Sequence, residues 1–283
     1  MTQGRRKSSA RTEVDRHESG EWTRRRDSVA VEEPMEIRLD FPAGDGRAEL
    51  PVSVTMRTPG DDFLLAAGFL FGEGLISGRG AIIDLRYCGN VTPQEYNVVT
   101  VTLREPVDPA SLTRNFYMTS SCGVCGKSSI EAVEVQGCQI LPRGGLSLRA
   151  DAILQMPERL REAQAVFERT GGLHAAGLFN LAGDLVEVRE DVGRHNAVDK
   201  VVGARLLEGG VPLHDHVLAV SGRASFEIVQ KAIVAGIPAL VAVGAPSSLA
   251  VDLAEQFGLT LVGFVRGGAF NVYTGAERVE TEA

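Results

Sequence analysis

The sequence predicts an α/β protein: a mixed-sheet, three-layer sandwich with a smaller β-rich portion on its N-terminal side. Three observations carry this. After Gly172 short apolar runs (HVLAVSG, PALVAVGA, TLVGFV) alternate with stretches of helical spacing such as FEIVQKAIVAG and SLAVDLAEQFG, the mark of successive β-α units. Ahead of them AAGLFNLAGDLVEVRE holds two strand-like segments around Ala182-Gly183-Asp184, which reads as an antiparallel hairpin and makes the sheet mixed. From about Glu32 to Leu103 the chain is rich in strands and punctuated by glycine.

Taken in order, residues 1–33 form a polar arm in which the first 29 residues hold eight Lys/Arg against five Asp/Glu. So little apolar surface predicts a disordered tail. Residues 34–150 form the β-rich portion. MEIRLDF and ELPVSVTMR alternate apolar and polar side chains around an AGDG turn. Asp61 and Asp62 precede FLLAAGFLFGEGLI, where an aspartate suits a helix N-cap, and NVVTVTL is a further strand. The stretch from Asn115 to Ser129, with NFYMTSSCGVCGKSS at its centre, reads as an exposed mobile loop running towards a helix at SSIEAVEV. In residues 151–275, ADAILQMPERLREAQAVFERTGG predicts one periodic helix closed by glycine, and the hairpin and β-α units follow. Residues 276–283 are a tail. No internal repeat is present.

Bulk properties exclude several classes. At 283 residues with 44% hydrophobic and 23% charged side chains, the composition is that of an ordinary globular protein. A net charge of −8 disfavours nucleic acid as a partner. No apolar stretch approaches the roughly 20 residues that span a bilayer. Arg24-Arg25-Arg26 is not an export signal, because DSVAVEEPMEIRLD follows it with no hydrophobic region. A cytoplasmic protein is expected, and its cysteines (Cys88, Cys122, Cys125, Cys138) are then not a disulfide scaffold.

Four places could carry chemistry. Cys122-Gly123-Val124-Cys125 sets two sulfurs within reach of one another, between glycines that leave them uncovered and beside Lys127, which favours thiolate. A sulfur relay, a metal site completed by Cys88 and Cys138, and disulfide exchange all remain open on the residues alone; zinc would need four ligands, and no second Cys-x-x-Cys exists. Ser221-Gly222-Arg223-Ala224-Ser225 and Gly244-Ala245-Pro246-Ser247 each lie between a strand and a helix, where N–H groups, hydroxyls and a guanidinium suit phosphate. Ser225 and Ser247 are equally well read as plain helix caps. Glu190-Asp191-Val192-Gly193-Arg194-His195-Asn196-Ala197-Val198-Asp199-Lys200 holds either a ligand or a helix cap, and His174 is an ordinary loop or core histidine by default. Phe264-Val265-Arg266-Gly267-Gly268-Ala269 ends the last long strand, its glycines letting backbone approach a ligand or simply turning the chain.

Together TSSCGVCGK, GGLHAAGLF, EDVGRHNAVDK, SGRASFE, GAPSSLAVDLA and FVRGGAFNVY resemble, in order, the FdhD family of formate dehydrogenase accessory sulfurtransferases, over about Pro34 to Tyr273. The resemblance implies a sulfur carrier. It would take sulfur from a cysteine desulfurase and deliver it to the bis-molybdopterin guanine dinucleotide cofactor that formate dehydrogenase requires. Cys122 would carry the persulfide, with Cys125 its partner, and Phe264 to Ala269 would contact the cofactor, which GDP-like nucleotides mimic in part. The resemblance also implies a homodimer and a C-terminal half similar to the cytidine-deaminase fold. Deaminase chemistry does not come with it: His174-Ala175-Ala176 has alanine where His-x-Glu needs the acid, and no Pro-Cys-x-x-Cys follows, so no catalytic zinc is expected. The alternative is a non-catalytic cofactor chaperone whose cysteine pair binds a metal or a partner.

Overall fold

A computed structural model of the chain describes residues 7–89, 95–107, 140–142 and 146–280. Cys122, Cys125, Cys138, the loop from Asn115 to Ser129 and the expected SSIEAVEV helix lie outside the described residues. Strands β1 (Ser9–Glu18), β2 (Glu21–Ala30), β3 (Glu33–Ala43) and β4 (Gly46–Arg57) come first, then helix α1 (Asp62–Gly72), β5 (Ile82–Tyr87) and β6 (Val98–Leu103). After β7 (Leu148–Arg149) come α2 (Ala150–Glu162), α3 (Ala165–Thr170), β8 (His174–Asn180), β9 (Leu185–Asp191) and α4 (Arg194–Leu207). The chain continues through β10 (His216–Val220), α5 (Phe226–Val234), β11 (Ala239–Ala242), α6 (Ser248–Phe257), β12 (Thr260–Arg266), β13 (Ala269–Thr274) and β14 (Val279–Glu280).

The larger sheet runs β13-β12-β11-β10-β8-β9. Its three central strands, β10, β11 and β12, are parallel, and the flanking pairs are antiparallel. Strand alternation divides the interior in two. Leu218, Val220, Leu240, Ala242 and Leu261 face the core shared with α4, α5 and α6, whereas Val217, Ala219, Ala239, Val241 and Val262 face the core under α2. Helices therefore cover both faces, as the alternating sequence predicts. The smaller sheet, β4-β3-β6-β5, buries Met35, Ile37, Leu39, Val99 and Val101 in the first of these cores, with α1 between it and α4. The α1–α4 crossing is a backbone contact. A Cβ on Gly68 would stand 1.8 Å from the Asp199 carbonyl oxygen, and one on Gly203 would stand 1.9 Å from that of Leu64.

Three expectations are corrected. The N-terminal arm is not disordered over residues 9–30: it is a β1–β2 hairpin, closed by Ser19 and Gly20 at φ 52° and 89°, the two positive values of a tight hairpin turn. Composition misread it because its cross-strand pairs are charges: Arg24 lies opposite Asp15, Arg26 opposite Glu13, and Arg24 reaches Glu13 at 3.0 Å. The single helix expected over 150–171 is two helices. Glu190 accepts the N–H groups of Val166 at 2.9 Å and Phe167 at 2.7 Å, so a carboxylate from β9 supplies a second helix start. Asp61 does not cap α1 with its side chain, and Asp62 instead takes Arg57 bidentately, both bonds at 3.0 Å, inside the protein. Among the described residues no helix is long and apolar enough to cross a membrane.

Candidate functional site

Parallel strands put their C-terminal ends on one edge, and there the loops after β10 and β11 and the end of β12 are stitched together. Gly244 N donates to Gly222 O (2.9 Å), Ala224 N to Ala245 O (3.2 Å), Ser247 N to Ala224 O (3.1 Å) and Phe264 N to Gly244 O (3.1 Å). The fit leaves no room at Gly244, where a Cβ would lie 3.0 Å from Gly222 O. Ser221, Gly222, Arg223, Ser225, Ser247 and the stretch Phe264, Val265, Arg266, Gly267, Gly268, Ala269 thus share one rim, although nearly fifty residues separate its ends.

Their individual roles are more specific than the sequence shows. Ser247 caps α6, its Oγ accepting Ala250 N at 3.3 Å. Ser225 precedes α5 without a side-chain cap bond; its Oγ lies 3.0 Å from His195 Nε2. Ser221 Oγ accepts the N–H of Ala175 at 2.9 Å. Ser221 and Ser247, whose oxygens accept, keep their own O–H as donors, while between Ser225 and His195 the direction follows the imidazole tautomer. Gly267 and Gly268 (φ 61° and 77°) form the two-residue turn between Arg266 and Ala269, so the hairpin itself requires them. Val265 is buried in the α2-side core and offers a ligand no side chain. Phe264, at φ 55°, holds a backbone conformation uncommon outside glycine, with the Arg266 guanidinium 5.6 Å from its ring centre.

The rim is electropositive on an acidic chain. The exposed Arg223 guanidinium makes no hydrogen bond or ion pair with the described residues. Arg194, at the start of α4, keeps a buried Nε with no partner among them. His174 stands beside Gly222, where a Cβ would be 3.5 Å from its Nδ1. Burial first, then the Arg194 charge, pushes its pKa below the ordinary value. His195 is pushed down to about 3, by burial above all, with Arg194, Lys231 and His174 adding to it. A Glu227 oxygen lies 3.0 Å from Nε2, but that carboxylate is 37% exposed, so water screens its pull and the ring stays neutral. Arg194 and His195 were legible only as members of a polar cluster, and His174 only as an ordinary loop or core histidine; what marks them is that α4 and β8 start on the rim where β10 ends.

The rest of that cluster is interior structure. Asp191, fully buried, meets Lys200 Nζ at 2.7 Å and accepts the N–H of Thr58 (3.1 Å) and of Gly193 (2.8 Å). Lys200 also donates to Thr58 O at 3.0 Å, and Asn196 Nδ2 to Met56 O at 2.8 Å. These bonds fasten the small sheet to α4. A second buried pair, Asp199 with Lys231 at 2.7 Å, lies on the other side of that helix. Burial lifts the Asp199 pKa to about 6, Lys231 opposing. Among the described residues no group of three or more His, Cys, Asp or Glu could hold a metal ion.

A family model described as the FdhD/NarQ family matches residues 30–280. The "Sulfur carrier protein FdhD" of Streptomyces avermitilis is 51% identical over 279 residues, 96% of each chain. The protein of the same description from Mycobacterium tuberculosis is 52% identical over 264 residues, 90% of this chain and 92% of its own. Among solved structures, one described as a "putative formate dehydrogenase accessory protein" from Desulfotalea psychrophila superposes with a TM-score of 0.72 at 26% identity, over 97% of this chain and all of that one.

Proposed function

The chain belongs to the FdhD/NarQ family, and from that premise we propose that it is a sulfur carrier serving formate dehydrogenase, moving sulfur as a Cys122 persulfide from a cysteine desulfurase to a bis-molybdopterin guanine dinucleotide cofactor. The observation that carries the reading is the match to named sulfur carriers across nearly the whole chain, together with a rim whose Arg194 and Arg223 pair with none of the described residues. In the loading step the Cys122 thiolate attacks the outer sulfur of the donor's persulfide. The donor's S–S bond breaks, a new S–S bond forms on Cys122, and the donor cysteine leaves as a thiolate. Cys125 is the partner thiol, and a homodimer, the desulfurase and formate dehydrogenase complete the assembly.

The cofactor is cargo here, and the rim suits it. Its phosphates want N–H donors, hydroxyls and guanidinium forks. Arg223 offers a fork and Arg194 a buried donor that meet no partner among the described residues, Ser225 and Ser247 offer helix starts, and the Arg266 to Ala269 turn an exposed edge. Delivery breaks the S–S bond of the Cys122 persulfide as the Cys125 thiolate attacks the Cys122 sulfur: the outer sulfur leaves at sulfide level for the bound molybdenum, and the two cysteines are left as a disulfide. The chain's own residues anchor the dinucleotide.

GDP, as a mimic of one end of the cofactor, should bind this rim. Arg223→Ala removes a charged hydrogen-bond donor worth about 1.5–3 kcal/mol, so affinity by titration calorimetry should fall about 10- to 150-fold. Sulfur loading of Cys122 by the desulfurase should survive the change. A variant that binds GDP normally yet cannot be loaded would place Arg223 on the desulfurase-docking surface instead.

A further inference from the structure

The β1–β2 hairpin leaves the body of the protein as a ribbon of cross-strand pairs, from Ser9 opposite Ala30 to Glu18 opposite Glu21. Not one residue of either strand is buried. The two strands make a sheet by themselves, so among the described residues both outer edges are unpaired. The ribbon is tied to the body where β2 lies against α3, and a Cβ on Gly172 would stand 3.5 Å from that of Ala30. A two-stranded ribbon without a core of its own is marginal in water, and open edges invite pairing, so proteins cover such arms. The chemistry of one face shows with what. Pairing sets His17 opposite Trp22, Asp15 opposite Arg24 and Glu13 opposite Arg26 on a single face. The one tryptophan of the chain therefore sits near the tip, 71% exposed, with the His17 ring centre 5.0 Å from its own. Tryptophan and arginine are the side chains that most often anchor protein interfaces.

We propose that this hairpin is an arm that docks on a second copy of the chain, with Trp22 as its anchor. Charge favours a copy over a foreign partner. The first 30 residues carry a net +3, and since the whole chain is −8 the rest carries −11, so each molecule offers the acidic surface that the other's arm needs. Area favours it too. Strands of 10 residues, two abreast, give a face roughly 33 Å by 10 Å, so one arm laid on a foreign surface buries about 660 Å² counting both sides. Stable complexes need roughly 1,200 Å² or more, and two arms exchanged about a two-fold axis bury about 1,300 Å², because each copy gives one arm and receives one. This rests on the proposed function, which includes a homodimer, and names the contact that holds it.

Because Trp22 is the only tryptophan, its fluorescence in the full chain reports on the arm alone. Sedimentation velocity should show a dimer at micromolar concentration, and the emission should move to the red as dilution releases the indole into water. Trp22→Ala should raise the dimer dissociation constant about 30-fold or more, the effect of removing an interface hot spot, and Trp22→Phe should restore most of the loss. At dilutions where every variant is a monomer, Trp22→Ala should melt at the unmodified temperature, since it removes an exposed side chain; a merely structural tryptophan would lower that midpoint. A monomer at every concentration overturns the assignment, and so does a dimer whose strength Trp22→Ala leaves untouched. Emission that shifts only when a cysteine desulfurase is added to a monomer gives the arm to a foreign partner and overturns it as well. If Cys122 takes up sulfur while the dimer ignores Trp22→Ala, this inference fails and the proposed sulfur transfer stands. Absence of sulfur on Cys122 beside a dimer that depends on Trp22 does the reverse.

Discussion

Replacing Cys122 with alanine is expected to abolish formate dehydrogenase activity in cells that depend on this chain for it. A carrier holds its cargo by a covalent S–S bond, and no neighbouring group can substitute for the sulfur atom that makes it. Alanine is smaller than cysteine and lies in a glycine- and serine-rich segment, so folding should be unaffected. The variant should therefore be produced normally, keep its GDP affinity and still fail. A non-catalytic cofactor chaperone would behave differently, since binding alone would retain most of the function. Activity near the unmodified level in Cys122→Ala would favour that chaperone.

The second large effect concerns stability. Lys200→Met should lower the unfolding free energy by about 3–5 kcal/mol, because it strands the Asp191 carboxylate, fully buried, without its cation. The loss is larger than for a surface pair, which is worth about 0–1 kcal/mol. Asp191 would keep the Thr58, Gly193 and Asn196 donors, which satisfy its lone pairs but not its charge. Urea unfolding measures the difference. Adding Asp191→Leu should recover a large part of it, since an apolar pair of similar volume carries no buried charge. A loss below about 1 kcal/mol in Lys200→Met would mean that the pair is not the fastening it appears from its geometry.

The Asp191–Lys200 pair shows why part of this protein was legible in its sequence and part was not. Apolar periodicity is local, so the strands HVLAVSG, PALVAVGA and TLVGFV and the helices between them could be read directly. Once those strands are parallel, the joining of Ser221, Arg223, Ser247 and Arg266 on one edge follows from topology. The roles of charged residues are not local. Asp191 and Lys200 belong to the interior only because Thr58, more than 130 residues earlier, closes over them. The break between α2 and α3 is invisible for the same reason, as it depends on Glu190. The N-terminal hairpin hid behind its composition, although Ser19-Gly20 is a turn signal and Glu13 and Asp15 before it find Arg26 and Arg24 after it. Gln164 had no sequence signal at all: a glutamine between two helices looks like any polar linker until it proves to be buried.

Cys122 and Cys125 lie outside the described residues, so the central claim rests on their order in the family motif and is tested by chemistry. The most direct measurement is intact-protein and peptide mass spectrometry after incubation with a cysteine desulfurase and cysteine. The account predicts one added sulfur, about 32 Da, on the peptide containing Cys122, removed by a thiol reductant and absent from Cys122→Ala. An adduct found only on Cys88 or Cys138, or none on any cysteine while the desulfurase turns over, would contradict it.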